Sequence, residues 1–269
     1  MTRGRDPVRP SDRYARMALV FVVLAFGLSW GIWIPLALTG SGSSLKDVAS
    51  FGPAVAALLV ALLDPEVRTA WIRRLGHWRI ARHLYGIALL VPPLVCLGAV
   101  GLTEALGVEG LAYNDPSQLY LVAPAFVAVL VLGGPLGEEP GWRGVLQPAL
   151  GRWFAPCRAG LLVGMVWAAW HLPLVFIPGT PQAQVPVGLY AAFTVGLGVI
   201  YGWLADRSGH SVPLAILLHA SSNTAAGVLP VLPGDAGGSL VPFALVTAAT
   251  VSIAAALLSR ESPWLASEW

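Results

Sequence analysis

Three charged side chains lie inside one long apolar run of the sequence. The run extends from about Leu119 to Leu150, and Glu138, Glu139 and Arg143 interrupt it in the stretch GEEPGWRG. A charge at the centre of a bilayer costs at least ~2.5 to 3.5 kcal/mol, so such groups normally face a protein interior and pair. Because Glu139 and Arg143 are four positions apart, they can pair along one face of a helix. Glu138 points about 100° away around that helix and is left free to act on a ligand.

Two later apolar runs carry polar groups that complement Glu138. His171 lies in the stretch WAAWHLP, and His219 and Asn223 lie in LHASSN, four positions apart on one helical face. Each position is roughly 18 to 24 Å of helix from the nearest arginine at the end of its run, at ~1.5 Å per residue. Three helices can therefore present these groups at a similar depth, and we expect them to meet in one buried site.

This set of side chains suits the hydrolysis of a peptide bond without a covalent intermediate. A carboxylate and a histidine beside one water molecule can act as a general base. A second histidine and an asparagine amide can stabilise the oxyanion of a tetrahedral intermediate. No Cys/His arrangement marks a nucleophile. The residues therefore predict general-base hydrolysis.

Zinc chemistry is the alternative for the same residues. Glu138, His171 and His219 would suffice as the ligands of a catalytic zinc site. The HExxH spacing is absent from the sequence, and the cation Arg143 beside the carboxylates disfavours a divalent ion. We therefore expect no cofactor, with zinc on those three residues as the alternative.

The elements that position these residues are predicted to be membrane-spanning helices. Apolar residues make up 56% of the chain and charged residues 11%, whereas soluble proteins carry about a quarter charged residues. About 20 apolar residues are needed to cross a hydrocarbon core ~30 Å thick as a helix, and the period-two alternation of a barrel is absent. We predict an all-α polytopic membrane protein with about eight transmembrane helices, at residues 17–38, 48–63, 84–103, 119–150, 159–177, 187–205, 212–229 and 240–258.

The basic residues predict the orientation of these helices, because Lys and Arg accumulate in cytoplasmic loops. If both termini are cytoplasmic, the inside segments hold fourteen of the sixteen basic residues. The other two are Lys46, in an outside loop, and Arg143, within a span. We expect a basic cytoplasmic tail at residues 1–16 and a single transmembrane domain at residues 17–260. Four loop arginines are expected to lie at the anionic cytoplasmic leaflet, namely Arg73, Arg74, Arg79 and Arg82.

Cellular location and partners follow from the same composition. Fifteen Arg against one Lys hints at a GC-rich bacterial genome, so we expect a multi-pass protein of a bacterial plasma membrane. The basic residues are scattered without interleaved aromatic residues, which argues against nucleic acid as a partner. The expected partners are the lipid bilayer and a membrane-associated peptide or protein substrate. The oligomeric state is not predicted.

The motifs resemble those of the CPBP family, the CAAX prenyl protease and bacteriocin-processing (Abi) intramembrane proteases. That family carries EExxxR on one helix, an aromatic residue four positions before a histidine, and HxxxN. The stretch FGPAVAALL at 51–59 also resembles its second helix. The matching positions here, in the same order, are Glu138, Glu139 and Arg143, then Trp167 and His171, then His219 and Asn223.

The resemblance implies a glutamate-dependent intramembrane endopeptidase and assigns a role to each matching residue. Many members have Phe where this sequence has Trp167, so an aromatic residue is retained. By this resemblance, Glu138 is the base that activates water, and His171 assists it. His219 and Asn223 form an oxyanion hole. The residues that support these groups are Glu139, Arg143 and Trp167.

Two other functions remain open at the level of the sequence. The same polar cavity could bind a peptide or partner without catalysis, as in an immunity or sensor protein. Glu and His could alternatively form the proton relay of a transporter. No internal repeat is found, which disfavours the transporter because inverted repeats are common in that class.

Overall fold

The computed structural model describes residues 10–261, and no strand occurs within them. Several helices begin with a proline in their first turn, where the missing N–H would have no helical partner. Short 3₁₀ turns cover Pro116–Leu121, Leu172–Phe176 and Pro181–Gln184. The α-helices are α1 (Pro10–Thr39), α2 (Leu45–Ala49), α3 (Gly52–Leu63), α4 (Pro65–Leu75), α5 (Arg82–Ala105), α6 (Val122–Leu132), α7 (Pro135–Gly141), α8 (Gln147–Leu150), α9 (Pro156–Trp170), α10 (Val187–Arg207), α11 (Val212–Val228) and α12 (Val241–Arg260).

The long helices confirm the prediction of an all-α polytopic membrane protein. Within residues 10–261, six helical segments are long and apolar enough to cross a membrane, or seven if the pair of helices bent by 46° is counted as one span. The second predicted run, which looked short, is extended by α2 to Leu45–Leu63. The apolar helix α11 has 17 residues, which at ~1.5 Å each is somewhat less than the hydrocarbon thickness of ~30 Å.

Helices α9 and α10 pack unusually closely because glycines face each other across their contact. A Cβ atom at Gly160 would lie 2.3 Å from the carbonyl oxygen of Gly198, and one at Gly202 would lie 2.2 Å from that of Pro156. Small residues at such spacing let two backbones approach in lipid. The approach fixes the position of the C-terminal half of α9, which carries Trp167, relative to α10.

The predicted run 119–150 is broken into shorter pieces that position its charged residues. Gly133 and Gly134 separate α6 from α7, and Gly134 has φ of 104°, a conformation that strongly favours glycine. Pro140 lies inside α7 and is followed by a π-helical turn at Trp142–Leu146. Such turns are often found at functional sites, and this one carries Arg143.

The predicted tail at residues 1–16 lies partly outside the described residues. Helix α1 begins at Pro10, so the second part of that segment is helical. Arg13 binds Asp64 through two hydrogen bonds of 2.5 and 2.6 Å, and the guanidinium of Arg152 stacks on Tyr14 at 3.4 Å from the ring centre. These contacts tie the start of α1 to the ends of neighbouring helices.

Candidate active site

A cavity of about 390 Å³ brings together polar residues from α7, α9 and α11. Glu138, His171, His219 and Asn223 all line it. Most of the remaining wall is apolar and comes from α5, α6, α10 and α12. The three segments predicted from the sequence to meet at one depth therefore do meet in this structure.

Glu138 is almost completely buried, with 4% of its surface exposed. Its Oε2 atom accepts a hydrogen bond of 2.5 Å from the indole nitrogen of Trp167. Its Oε1 atom lies beside Gly134, where an added Cβ would be only 2.5 Å away. The glycine at the helix break therefore leaves space for this carboxylate. The indole N–H binds only Oε2, so Oε1 is not bonded to the indole.

Glu139 lies on the other side of α7 and contacts both Arg143 and His219. It is fully buried, and Arg143 is 2% exposed. Its Oε1 atom accepts a hydrogen bond of 2.8 Å from Nδ1 of His219, and its Oε2 atom is 3.3 Å from Nε of Arg143. The pairing of Glu139 with Arg143 follows the predicted spacing of four residues, and the contact with His219 adds a link to α11.

Aromatic rings hold the guanidinium group of Arg143. Its Cζ atom lies 3.9 Å from the ring centre of Tyr201 and 4.8 Å from that of Trp167. Within residues 10–261, none of its three side-chain nitrogens has a hydrogen-bond partner. A cation over an aromatic face is stabilised by about 2 kcal/mol or more when water is excluded. Ring contacts and the charge of Glu139 thus position this side chain.

The tautomer of His171 follows from its hydrogen bond. Nδ1 lies 2.9 Å from the backbone carbonyl oxygen of Trp167, and a carbonyl can only accept, so Nδ1 carries the proton. In the neutral ring, Nε2 is then the free acceptor. Helix α9 ends at Trp170, just before His171, as expected from Pro173. The ring therefore sits at the helix end, beside the cavity.

Asn223 is placed at the cavity but makes a contact that the sequence did not indicate. Its side-chain nitrogen donates a hydrogen bond of 3.1 Å to the carbonyl oxygen of Gly133. This carbonyl belongs to the break between α6 and α7. Asn223 therefore connects α11 to the break, and only one of its two amide hydrogens is used in doing so.

Comparisons with known proteins address the family. Residues 120–225 match the family model described as "Type II CAAX prenyl endopeptidase Rce1-like". The chain is also 29% identical over 171 residues to "CAAX prenyl protease 2" of Methanococcus maripaludis, covering 60% of this chain and 63% of that protein. The resemblance to the CPBP family is confirmed. The chain thus spans less than two thirds of the length of this relative. At the level of the family, the matches support an intramembrane endopeptidase.

The zinc alternative does not match the local arrangement of these side chains. Across residues 10–261, no group of three or more His, Cys, Asp or Glu side chains is arranged to hold a metal ion. Of the three suggested ligands, Glu138 is engaged by Trp167 and His219 by Glu139. The geometry of the side chains does not fit a three-ligand zinc centre.

Three features of the site were not predicted by the CPBP motifs. Tyr201 contributes a ring under Arg143, but in the sequence it is one aromatic residue in an apolar helix and carries no signal. Trp71 donates a hydrogen bond of 2.8 Å to the carbonyl of Pro140, and Arg74 donates one of 3.1 Å to that of Gly144. Arg74 was expected at the lipid leaflet, and its bond to Gly144 is a contact that the sequence did not indicate. It supports the π-helical turn.

Proposed function

We propose that this protein is an intramembrane endopeptidase of the CPBP type, in which Glu138 activates a water molecule to hydrolyse a membrane-associated peptide or protein. The observation that carries the proposal is the shared cavity of Glu138, His171 and His219. The family matches support the same reaction class. Four residues would act on the reacting atoms, namely Glu138, His171, His219 and Asn223. Glu139, Arg143 and Trp167 would position them.

The first step is the activation of water by Glu138. With Oε2 bound to Trp167, Oε1 is available to accept a proton from water. Nε2 of His171 is an acceptor and can hold the second hydrogen of the same water. As the water oxygen bonds to the carbonyl carbon of the substrate, its proton passes to Glu138. The proton then passes to the leaving nitrogen as the C–N bond breaks.

The second step needs hydrogen-bond donors for the oxyanion, and His219 and Asn223 line the cavity where they can supply them. Glu139 accepts from Nδ1 of His219, which stabilises an imidazolium in the way that a buried aspartate does in a catalytic triad. The Nε2 hydrogen of His219 and the remaining amide hydrogen of Asn223 would then stabilise the oxyanion.

The proposed reaction uses no metal ion or other cofactor. Arg143 occupies the position of a counter-charge next to Glu139, where a divalent cation would be repelled. The polar chemistry that zinc supplies in other peptidases is assigned here to Glu138, His171 and His219.

The proposed substrate is a polypeptide held in or at the plasma membrane of a bacterial cell. The largely apolar wall of the cavity fits apolar side chains or a lipid group. The relative from Methanococcus maripaludis is named as a prenyl protease, and we propose a CAAX-protease-like reaction without assigning a prenylated substrate.

The test is the appearance of new peptide ends in bacterial membranes. Membranes from cells that express the wild-type chain, Glu138→Gln or Glu109→Gln are compared by labelling of free N-termini and mass spectrometry. Glu109 is an exposed glutamate that does not line the cavity, so the control makes the same chemical change outside the catalytic groups. We expect cleavage products with the wild type and Glu109→Gln, and their loss by roughly 10²- to 10⁴-fold with Glu138→Gln.

A second arm tests the absence of metal. Cleavage by the purified wild-type protein is followed after dialysis against EDTA and 1,10-phenanthroline, and we expect the rate to be unchanged. Loss of cleavage with recovery on adding zinc would replace the proposed mechanism by a zinc mechanism. Identical products with wild type and Glu138→Gln would leave a non-catalytic immunity or partner-binding role.

A further inference from the structure

The cavity opens at one end of the helical bundle. Its lining includes residues that come directly before three of the long helices. These are Lys46 and Asp47 in α2, ahead of α3, Thr180 to Gln182 ahead of α10, and Val231 and Leu232 ahead of α12. Successive long helices run in opposite directions, so the connections before α3, α10 and α12 lie at the same end. We call this end the acidic face, defined by residues 40–51, 106–121, 177–186 and 229–240.

Contacts between these connections support the assignment to one face. The backbone nitrogen of Ala112 donates to the carbonyl of Asp235 at 2.7 Å. Gln184 accepts from the backbone nitrogen of Gly234 at 2.9 Å. Asn114 donates to the carbonyl of Val228 at 2.6 Å. These bonds join residues 106–121 and 177–186 to residues 228–240 and place these three connections at one end of the bundle.

The other end of the bundle is closed beneath the site. Helix α4 packs there, and Trp71 and Arg74 bind the backbone carbonyls of Pro140 and Gly144. Ser211 bonds to the carbonyl of His77 at 2.6 Å and joins two connections of that end. Within the described chain, residues 64–81, 151–155 and 208–211 contribute nothing to the lining of the cavity. We call this end the arginine-rich face, defined by these three segments.

Charge distinguishes the two faces. The arginine-rich face and the adjoining helix ends carry most of the arginines. On the acidic face, Lys46 is the single basic residue among those that the structure describes, against four exposed carboxylates, at Asp47, Glu109, Asp115 and Asp235. Because basic loops remain in the cytoplasm, the arginine-rich face is cytoplasmic and the acidic face is outside.

From the opening and the charges together, we infer that the active-site cavity takes its substrate from the extracytoplasmic side of the membrane. The substrate class is then a membrane-associated segment of an exported polypeptide, and a lipidated tail on the cytoplasmic surface is excluded. The inference rests on the proposed function, because only a peptidase would make the molecule in the cavity a substrate. The direction of the opening is measured independently of catalysis.

The experiment labels single cysteines in intact bacterial cells. Cys96 and Cys157 are replaced by alanine, and one cysteine is introduced by Lys46→Cys at the mouth, Ser222→Cys inside the cavity or Arg79→Cys on the arginine-rich face. Cells are treated with the membrane-impermeant sulfonatoethyl methanethiosulfonate before or after permeabilisation. Thiols that remain are counted by a gel shift with a polyethylene glycol maleimide.

We expect complete loss of the gel shift for Lys46→Cys and Ser222→Cys in intact cells. Arg79→Cys should keep its gel shift until the cells are permeabilised. The reverse pattern would overturn the inference, and so would protection of Ser222→Cys while Lys46→Cys reacts. Gln182→Cys serves as a second mouth position if Lys46→Cys does not accumulate as a folded, monodisperse protein in detergent.

Failure of the inference and failure of the proposed function give different results. If Lys46→Cys and Ser222→Cys are labelled in intact cells but no cleavage depends on Glu138, the cavity faces outward and is not a peptidase site. Inside labelling with Glu138-dependent cleavage leaves the peptidase and overturns the extracytoplasmic substrate.

Discussion

Glu138 and Glu139 are adjacent in the chain, yet they face two different regions of the protein. Glu138 lines the cavity with the two imidazoles, and its recorded hydrogen bond comes from one indole N–H. Glu139 faces a closed region, where it contacts Arg143 and His219 and does not line the cavity. One region leaves a carboxylate oxygen available to a ligand, and the other neutralises and fixes the groups behind it.

The contrast shows how one helix can separate reactivity from stability. Removing the charge of Glu138 leaves no buried cation without its counter-ion, because Arg143 keeps Glu139. Removing the charge of Glu139 leaves Arg143 buried without its nearest carboxylate. The two glutamates should therefore respond to the same substitution in opposite ways, one in activity and the other in stability.

The largest expected effect on stability is that of Glu139→Gln. Breaking a buried pair by removing one partner costs about 3 to 5 kcal/mol, and we expect that loss in the free energy of unfolding. Glu138→Gln leaves Arg143 paired with Glu139 and should cost about 1 kcal/mol, the typical value for a point substitution. Unfolding in mixed detergent, followed by tryptophan fluorescence, measures both.

A double variant serves as the control for this prediction. Glu139→Gln combined with Arg143→Met removes both charges and should recover most of the lost stability, because no unpaired charge stays buried. It should not recover cleavage, since His219 loses the group that orients it. Equal destabilisation by Glu138→Gln and Glu139→Gln would contradict the distinction between the two regions.

Much of this arrangement was predictable because it depends on spacing along single helices. The eight apolar runs each correspond to helical structure, and Glu139 and Arg143 pair at four residues' separation. Gly133, Gly134 and Pro135 are helix-breaking residue types at the break between α6 and α7. Local patterns also identified four of the residues that line the cavity, Glu138, His171, His219 and Asn223.

Contacts between distant segments could not be predicted in the same way. The bond from His219 to Glu139 joins residues 80 positions apart, and that from Trp71 to Pro140 joins residues 69 apart. The stacking of Tyr201 on Arg143 depends on how closely α9 and α10 approach. These contacts result from packing, and a pattern within one helix contains no information about them.

The cavity region can be probed with a smaller change, Trp167→Phe. Phenylalanine keeps an aromatic ring near Arg143 and removes the N–H that binds Glu138. A hydrogen bond to a charged group contributes about 1.5 to 3 kcal/mol, so we expect kcat to fall roughly 10- to 100-fold. KM should change little, since Trp167 orients the base and leaves most of the cavity wall intact.

The matched control is Trp170→Phe. Trp170 is equally buried, but its N–H faces the backbone carbonyl of Ala25 at 3.4 Å and not a carboxylate. Steady-state kinetics of the two variants separates the loss of a donor from the loss of indole packing. Equal decreases in kcat for both would show that packing alone explains the effect.

The smallest expected effect comes from a third carboxylate, Asp64, which is buried and pairs with the partly exposed Arg13. Arg13 donates two hydrogen bonds to it and holds the pKa of its carboxyl below the usual value. Asp64 also caps helix α4 by accepting from the backbone nitrogens of Glu66 and Val67. Asp64→Ala should cost about 1 kcal/mol through the lost cap. Asp64→Asn retains a cap oxygen and should cost less.

The pH dependence of the Asp64 effect follows from the lowered pKa. A carboxylate with a lowered pKa in the folded state contributes stability above its unfolded pKa of about 3.9, and that contribution disappears as the pH falls through the folded value. The difference in unfolding free energy between wild type and Asp64→Asn should therefore be constant from neutral pH to about pH 5 and shrink below it. A difference that grows on acidification would show that Arg13 does not stabilise the charged form. In contrast to the pair of Glu139 and Arg143, this pair has one partly exposed member, Arg13, whose side chain is 33% exposed, so added salt should also weaken it.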